Sequence, residues 1–142
     1  MFRLVERIGE HGLPAFVHII AGSFLESAWR LGVLADAFPD VVFVALDGFS
    51  SPDQAGSMIP FAHKHPNVMF DTGVAATVAH GMPAFIREVG AHRLLLGTDF
   101  YSSPRLFETP YALYELLNSG LAEEELAQVF GRNARQLLGL TA

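Results

Sequence analysis

The chain has 142 residues, 51% of them hydrophobic and only 17% charged. That is enough for one domain with a real core, and too apolar for extensive disorder. The net charge of −6 argues against nucleic acid or an anionic membrane as partner. Cysteine is absent, which excludes disulfides, thiolate metal sites and a cysteine nucleophile. The low charged fraction also leaves apolar surface for a partner to cover.

In chain order, residues 2–10 read as a short amphipathic helix with Phe2, Leu4, Val5 and Ile8 on one side. Charges run through this segment, so it has no signal-peptide core. No apolar run reaches about 18 residues, so no membrane span is expected and the expected location is the cytoplasm. Residues 14–19, PAFVHI, form a first strand. From Ser23 to Phe38 the apolar spacing suits a helix, which Phe38-Pro39-Asp40 ends. Val41 to Leu46 is continuous and β-branched, a strand buried on both faces.

A helix is expected over Gln54–Lys64, closed by His65-Pro66-Asn67. A strand over Val68–Phe70, a helix over residues 82–90 and a strand over Leu94–Leu96 follow. Helices at about 108–118 and 122–130, and over Asn133–Leu138, complete the chain. Strand and helix alternate throughout, the pattern of a parallel sheet with crossover helices in one domain over residues 1–142.

Each strand closes on a residue capable of chemistry: His18, Asp47, Asp71 and Asp99. Crossover helices return the chain to the same side, so these ends share one edge of the sheet. An aspartate closing an apolar strand is costly to desolvate unless a cation or hydrogen bonds hold it. Each residue also has a plainer role as turn former or satisfied core histidine. Together they read as a site for zinc or another divalent metal. His80, in the loop after the third strand, is on the same edge. Tyr101, Ser102, Ser103 and Arg105 follow Asp99 and are placed to meet a substrate or cap the next helix. No nucleotide-binding, nucleophile-elbow or H-E-x-x-H motif is present.

Five segments carry a resemblance: LPAFVH at 13–18, FPDVVFVALDG at 38–48, HPNVMFDTG at 65–73, GAHRLLLGTDF at 90–100 and GRNARQLLGL at 131–140. In order and spacing they resemble the amidohydrolase-related family of metal-dependent hydrolases and decarboxylases. The resemblance implies the last four strands of a (β/α)8 TIM barrel, an α/β half-barrel left open or completed by a partner. It implies a divalent metal, zinc or manganese, bound by His18 and Asp99. It gives Asp99 the binding of metal or the handling of a water proton, and Asp47, though not the family's residue, is expected to share that catalytic role as a base. Asp71, Tyr101 and Arg105 would bind a small carboxylate, amide or lactone-like substrate.

Two departures stand out. Asp47 replaces the histidine usual at the sixth strand, and Gly73 replaces the serine usual after Asp71-Thr72. The first-strand H-x-H pair has no counterpart, since a full barrel takes about 250 residues. The expectation is therefore a homodimer, pairing with a chain that supplies the missing half, or a piece of a longer product. The alternative function is a catalytically incomplete half-barrel that serves in an assembly.

Overall fold

The computed structural model describes residues 1–74, 81–99 and 110–140. Among these, strands β1 (Ala15–His18), β2 (Phe43–Leu46), β3 (Val68–Asp71) and β4 (Leu94–Leu95) form one sheet in that order. Every neighbouring pair is parallel, with His18 level with Leu46 and Asp71 level with Leu95. This is the strand–helix alternation expected from the sequence. The helices are α1 (Phe2–Glu10), α2 (Ala28–Ala37), α3 (Pro52–Lys64), α4 (Gly81–Val89), α5 (Tyr111–Leu117), α6 (Glu123–Ala127) and α7 (Asn133–Leu137). No helix among the described residues is long and apolar enough to cross a membrane.

The core lies between the sheet and its helices. Ala15, Phe43, Ala45, Val68, Phe70 and Leu94 face the helices, where they meet Leu31, Met58, Phe85 and Leu116. Phe70 and Phe85 pack at 5.0 Å between ring centroids, and Phe49 meets Phe85 edge-on at 5.4 Å. The side chains of opposite parity, Phe16, His18, Val44, Met69 and Asp71, therefore point to the other face.

Helix α2 begins at Ala28, five residues after the start that periodicity predicts at Ser23. Side-chain hydrogen bonds hold residues 23–27 in turns instead. Ser23 Oγ accepts the Glu26 amide at 3.3 Å, and Ser27 Oγ donates to the Phe24 carbonyl at 2.9 Å. A 3₁₀ turn over Ala91–Arg93 and a π turn over Gln128–Arg132 also have no clear counterpart in the periodicity.

Three polar side chains tie these elements together. Asn67 Nδ2 reaches the carbonyls of Ala35, Phe38 and Val41 at 3.1 to 3.2 Å. Arg93 is half-buried, and burial lowers the pKa of its guanidinium. It donates to the carbonyls of Val68 and His65, each at 2.8 Å. Asn133 Nδ2 donates to Ala91 and Leu94 at 2.7 and 2.8 Å. Each fills carbonyls that would otherwise be orphaned at an element's end.

Candidate functional site at the strand ends

The C-terminal edge of the sheet collects His18 from β1, Asp47 after β2, Asp71 from β3 and Asp99 after β4. Asp47 and Asp99 both adopt a left-handed backbone, at φ 63° and 45°. Aspartate tolerates this region better than most residues, and such conformations gather at functional sites. At Asp47 the left-handed turn brings a carboxylate round to β1. Its Oδ2 lies 2.6 Å from His18 Nε2, while its Oδ1 accepts the Val74 amide at 3.1 Å.

The other ring nitrogen of His18 is also engaged. Nδ1 lies 2.9 Å from Glu26 Oε1. Burial opposes the charged ring, but the Glu26 hydrogen bond and the Asp47 charge outweigh it, so the His18 pKa is raised. Glu26 was not singled out from the sequence. Its one visible signal is the spacing Ser23-x-x-Glu26, a capping-box pattern used here to form a turn. Hydrogen bonds from Ser23 and then His18 lower its pKa in turn.

Asp71 sits deeper. Its Oδ1 accepts the Asp47 amide at 2.8 Å, across the β2–β3 boundary. Burial raises its pKa to about 6, against the opposing hydrogen bonds from the Asp47 and Gly73 amides. The charges of Asp47 and Asp99 add to the rise. Two glycines make the room. A Cβ on Gly97 would stand 2.4 Å from Asp71 Oδ2, and one on Gly73 would stand 2.4 Å from Asp47 Oδ1. Between them Thr72 is fully buried and bonds Gly97 twice, donating to its carbonyl at 2.7 Å and accepting its amide at 3.1 Å.

The structure thus brings His18, Asp47 and Asp71 together, and the charge of Asp99 reaches Asp71. Tyr101, Arg105 and His80 lie outside the described residues. The same is true of Ser102 and Ser103.

This geometry bears directly on metal binding. A histidine ligand must present a neutral nitrogen with a free lone pair. In this arrangement both nitrogens of His18 face carboxylates. Among the described residues, no group of three or more histidine, aspartate or glutamate side chains is placed to hold a metal ion. The described residues alone therefore do not make a metal site.

A parallel α/β sheet of four strands with its helices is the arrangement of half a TIM barrel. The amidohydrolase sequence profile matches residues 2–140, and the chain belongs to that family. Members of the family generally bind a divalent metal. No curated protein gives a significant match.

Solved structures share the fold. An uncharacterized TIM-barrel protein from Bordetella bronchiseptica superposes with a TM-score of 0.75 at 16% identity, over 97% of this chain and 50% of that one. A candidate 2-pyrone-4,6-dicarboxylic acid hydrolase from Pseudomonas putida gives 0.66 at 18% identity, over 98% and 56%. The 5-carboxyvanillate decarboxylase of Sphingomonas paucimobilis gives 0.64 at 16% identity, over 97% and 52%. The chain spans about half the length of each of these structures.

Proposed function

We propose that this chain carries the C-terminal rim of a metal-dependent hydrolase or decarboxylase. Its substrate would be a small carboxylate, amide or lactone-like molecule. One observation carries the reading: three adjacent strands deliver His18, Asp47 and Asp71 to one edge, linked by contacts of 2.6 and 2.8 Å. Family membership supports the reaction class. The pyrone dicarboxylic acid hydrolase and the carboxyvanillate decarboxylase suggest the kind of substrate.

Each residue then has a task. Asp71, with its pKa near 6, can hold or release a proton in the neutral range. Hydrogen bonds from the Asp47 and Gly73 amides hold its carboxylate in place. The His18 ring, held between Asp47 and Glu26, keeps Asp47 aimed at the rim. Asp99 supplies a further carboxylate for water or metal. Tyr101 and Arg105 remain assigned to the substrate carboxylate, for which a guanidinium is well suited.

The family's metal, zinc or manganese, would supply Lewis acidity at this rim when bound. Asp99, and a neutral His18 released from one of its two carboxylates, would be the ligands offered by this chain. A catalytic zinc takes three protein ligands, so further groups would have to complete the set.

A second reading, a catalytically incomplete half-barrel, is favoured by the double engagement of His18. Calorimetric titration of zinc and of manganese into metal-stripped protein separates the two. A turnover screen over small carboxylates, amides and lactones accompanies it. One bound equivalent with turnover supports the enzyme. Neither binding nor turnover supports the incomplete half-barrel.

A further inference from the structure

Among the described residues, the last backbone hydrogen bond between β1 and β2 runs from the Ile19 amide to the Leu46 carbonyl at 3.0 Å. His18 stands just before it and Asp47 just after. Their 2.6 Å contact therefore lies where the ladder stops fixing the spacing of the two chains. Gln54, in the first turn of α3, takes over at this point. Its Nε2 donates to the Ile19 carbonyl at 3.3 Å and to the Asp47 carbonyl at 3.2 Å. One side-chain amide thus spans the strand that carries His18 and the turn that carries Asp47.

The neighbours of Gln54 turn it to this task. Ser51-Pro52-Asp53-Gln54 has the spacing of a capping box, in which the fourth side chain folds back on the first amide. One half of the box forms, with the Gln54 amide donating to Ser51 Oγ at 3.2 Å. In place of the other half, Gln54 Oε1 accepts the Ser50 hydroxyl at 3.3 Å and Nε2 turns to the sheet. The amide fits only this way round, since a reversed one would set its oxygen against two carbonyls.

Asp47 needs such a hold. Its left-handed backbone is unfavourable for a residue with a Cβ and persists where its surroundings over-determine it. Asp71 Oδ1 holds its amide at 2.8 Å, and the Ser50 amide meets its carbonyl at 3.1 Å. The Ser50 bond closes the turn locally, whereas the Gln54 bond ties the turn to Ile19, next to His18. A neutral amide also suits the place. A lysine or arginine would pair with the Asp47 carboxylate, but glutamine grips main-chain oxygens and leaves that carboxylate to His18.

We propose that Gln54 is a positioning residue of this rim, which sets His18 against Asp47 by bridging the Ile19 and Asp47 carbonyls. Its value to turnover rests on the reading of the rim as an active centre. The positioning itself is measured without turnover.

The test is proton NMR of the metal-stripped chain, read at the His18 ring proton that faces Asp47. A charge-assisted contact of 2.6 Å shifts this proton downfield, and Asp47→Ala should abolish the signal. Gln54→Met keeps the length of the side chain and removes its hydrogen bonds. Gln54→Glu keeps the acceptor for Ser50, restores a capping box and removes both donors. Each should fold, by circular dichroism, and lose the signal. Ser57→Ala removes only the bond to the main-chain carbonyl of Gln54 and should keep it.

A signal that persists in either folded Gln54 variant makes the residue merely structural and overturns the proposal, whatever the melting temperature. So does its absence from the wild type, its survival in Asp47→Ala, its loss in Ser57→Ala, or failure of both Gln54 variants to fold. Where the wild type turns over a substrate, kcat should fall about tenfold in both variants with KM little changed, and an unchanged kcat overturns the proposal as well. A wild type without turnover counts against the active-centre reading alone, and the NMR signal still decides the role of Gln54.

Discussion

His18 and Asp47 meet at 2.6 Å across the ends of two adjacent parallel strands. The register alone would not bring them together, because His18 is level with Leu46 and Asp47 lies one residue further on. The left-handed backbone of Asp47 redirects its carboxylate. Glu26 completes the grip from the other side of the ring.

An NMR titration of the His18 ring should show this directly. Its midpoint should lie above 6.5 in the wild type and fall in both Glu26→Gln and Asp47→Asn. A raised folded pKa means that the charged ring adds stability in full below pH 6.5. That contribution is lost as the pH rises through the folded value. An unchanged midpoint in both variants would contradict the assignment.

Asp71 has the opposite sign. Its pKa rises from 3.8 to about 6 on folding, so the unfolded chain ionises first. Stability should fall between about pH 4 and pH 6, by roughly 3 kcal/mol in all, and stay level above. Asp71→Asn keeps an acceptor for the Asp47 amide and removes the ionisation. Urea unfolding across that range should show a flatter profile for Asp71→Asn and greater stability than the wild type above pH 6. If the slope persists in the variant, another group is its source.

The glycines that frame the carboxylates should tolerate no side chain. Gly97→Ala drives a methyl to 2.4 Å from Asp71 Oδ2, in a region closed by Thr72. A loss of about 1–3 kcal/mol is expected from such overpacking. Gly56→Ala is the control, since a Cβ there meets nothing within 4 Å. Equal melting temperatures for the two variants would refute the crowding argument.

Asn133 closes the carbonyls of Ala91 and Leu94, and it is 5% exposed. Asn133→Ala leaves both acceptors orphaned, which should cost about 2–4 kcal/mol. Denaturant unfolding measures it. A cost below about 1 kcal/mol would mean that water replaces the amide.

Much of this fold is legible in the sequence because its strands are unambiguous. The runs Val41 to Leu46 and Leu94 to Leu96 are apolar enough to mark strands, which the structure places at Phe43–Leu46 and Leu94–Leu95 with Val42 exposed, and His18, Asp47, Asp71 and Asp99 follow from where the apolar runs stop. What periodicity misses lies where side chains compete with the backbone. Ser23 and Ser27 hold turns where the apolar spacing predicts helix, and that competition delivers Glu26 to His18. The sequence also reveals nothing of the left-handed backbone at Asp47. The family segments HPNVMF and GRNARQLLGL owe part of their wording to Asn67 and Asn133, which hold the scaffold together rather than perform chemistry.

The most direct test of the rim as an active centre is turnover of the zinc- or manganese-supplemented protein on the substrate panel, with Asp99→Asn and Asp53→Asn assayed beside it. Asp53 lies in the first turn of α3 and serves as a neutral comparison. The account predicts metal-dependent turnover that Asp53→Asn retains and Asp99→Asn lowers at least a hundredfold, about 2.7 kcal/mol in barrier. Turnover that survives Asp99→Asn would contradict it.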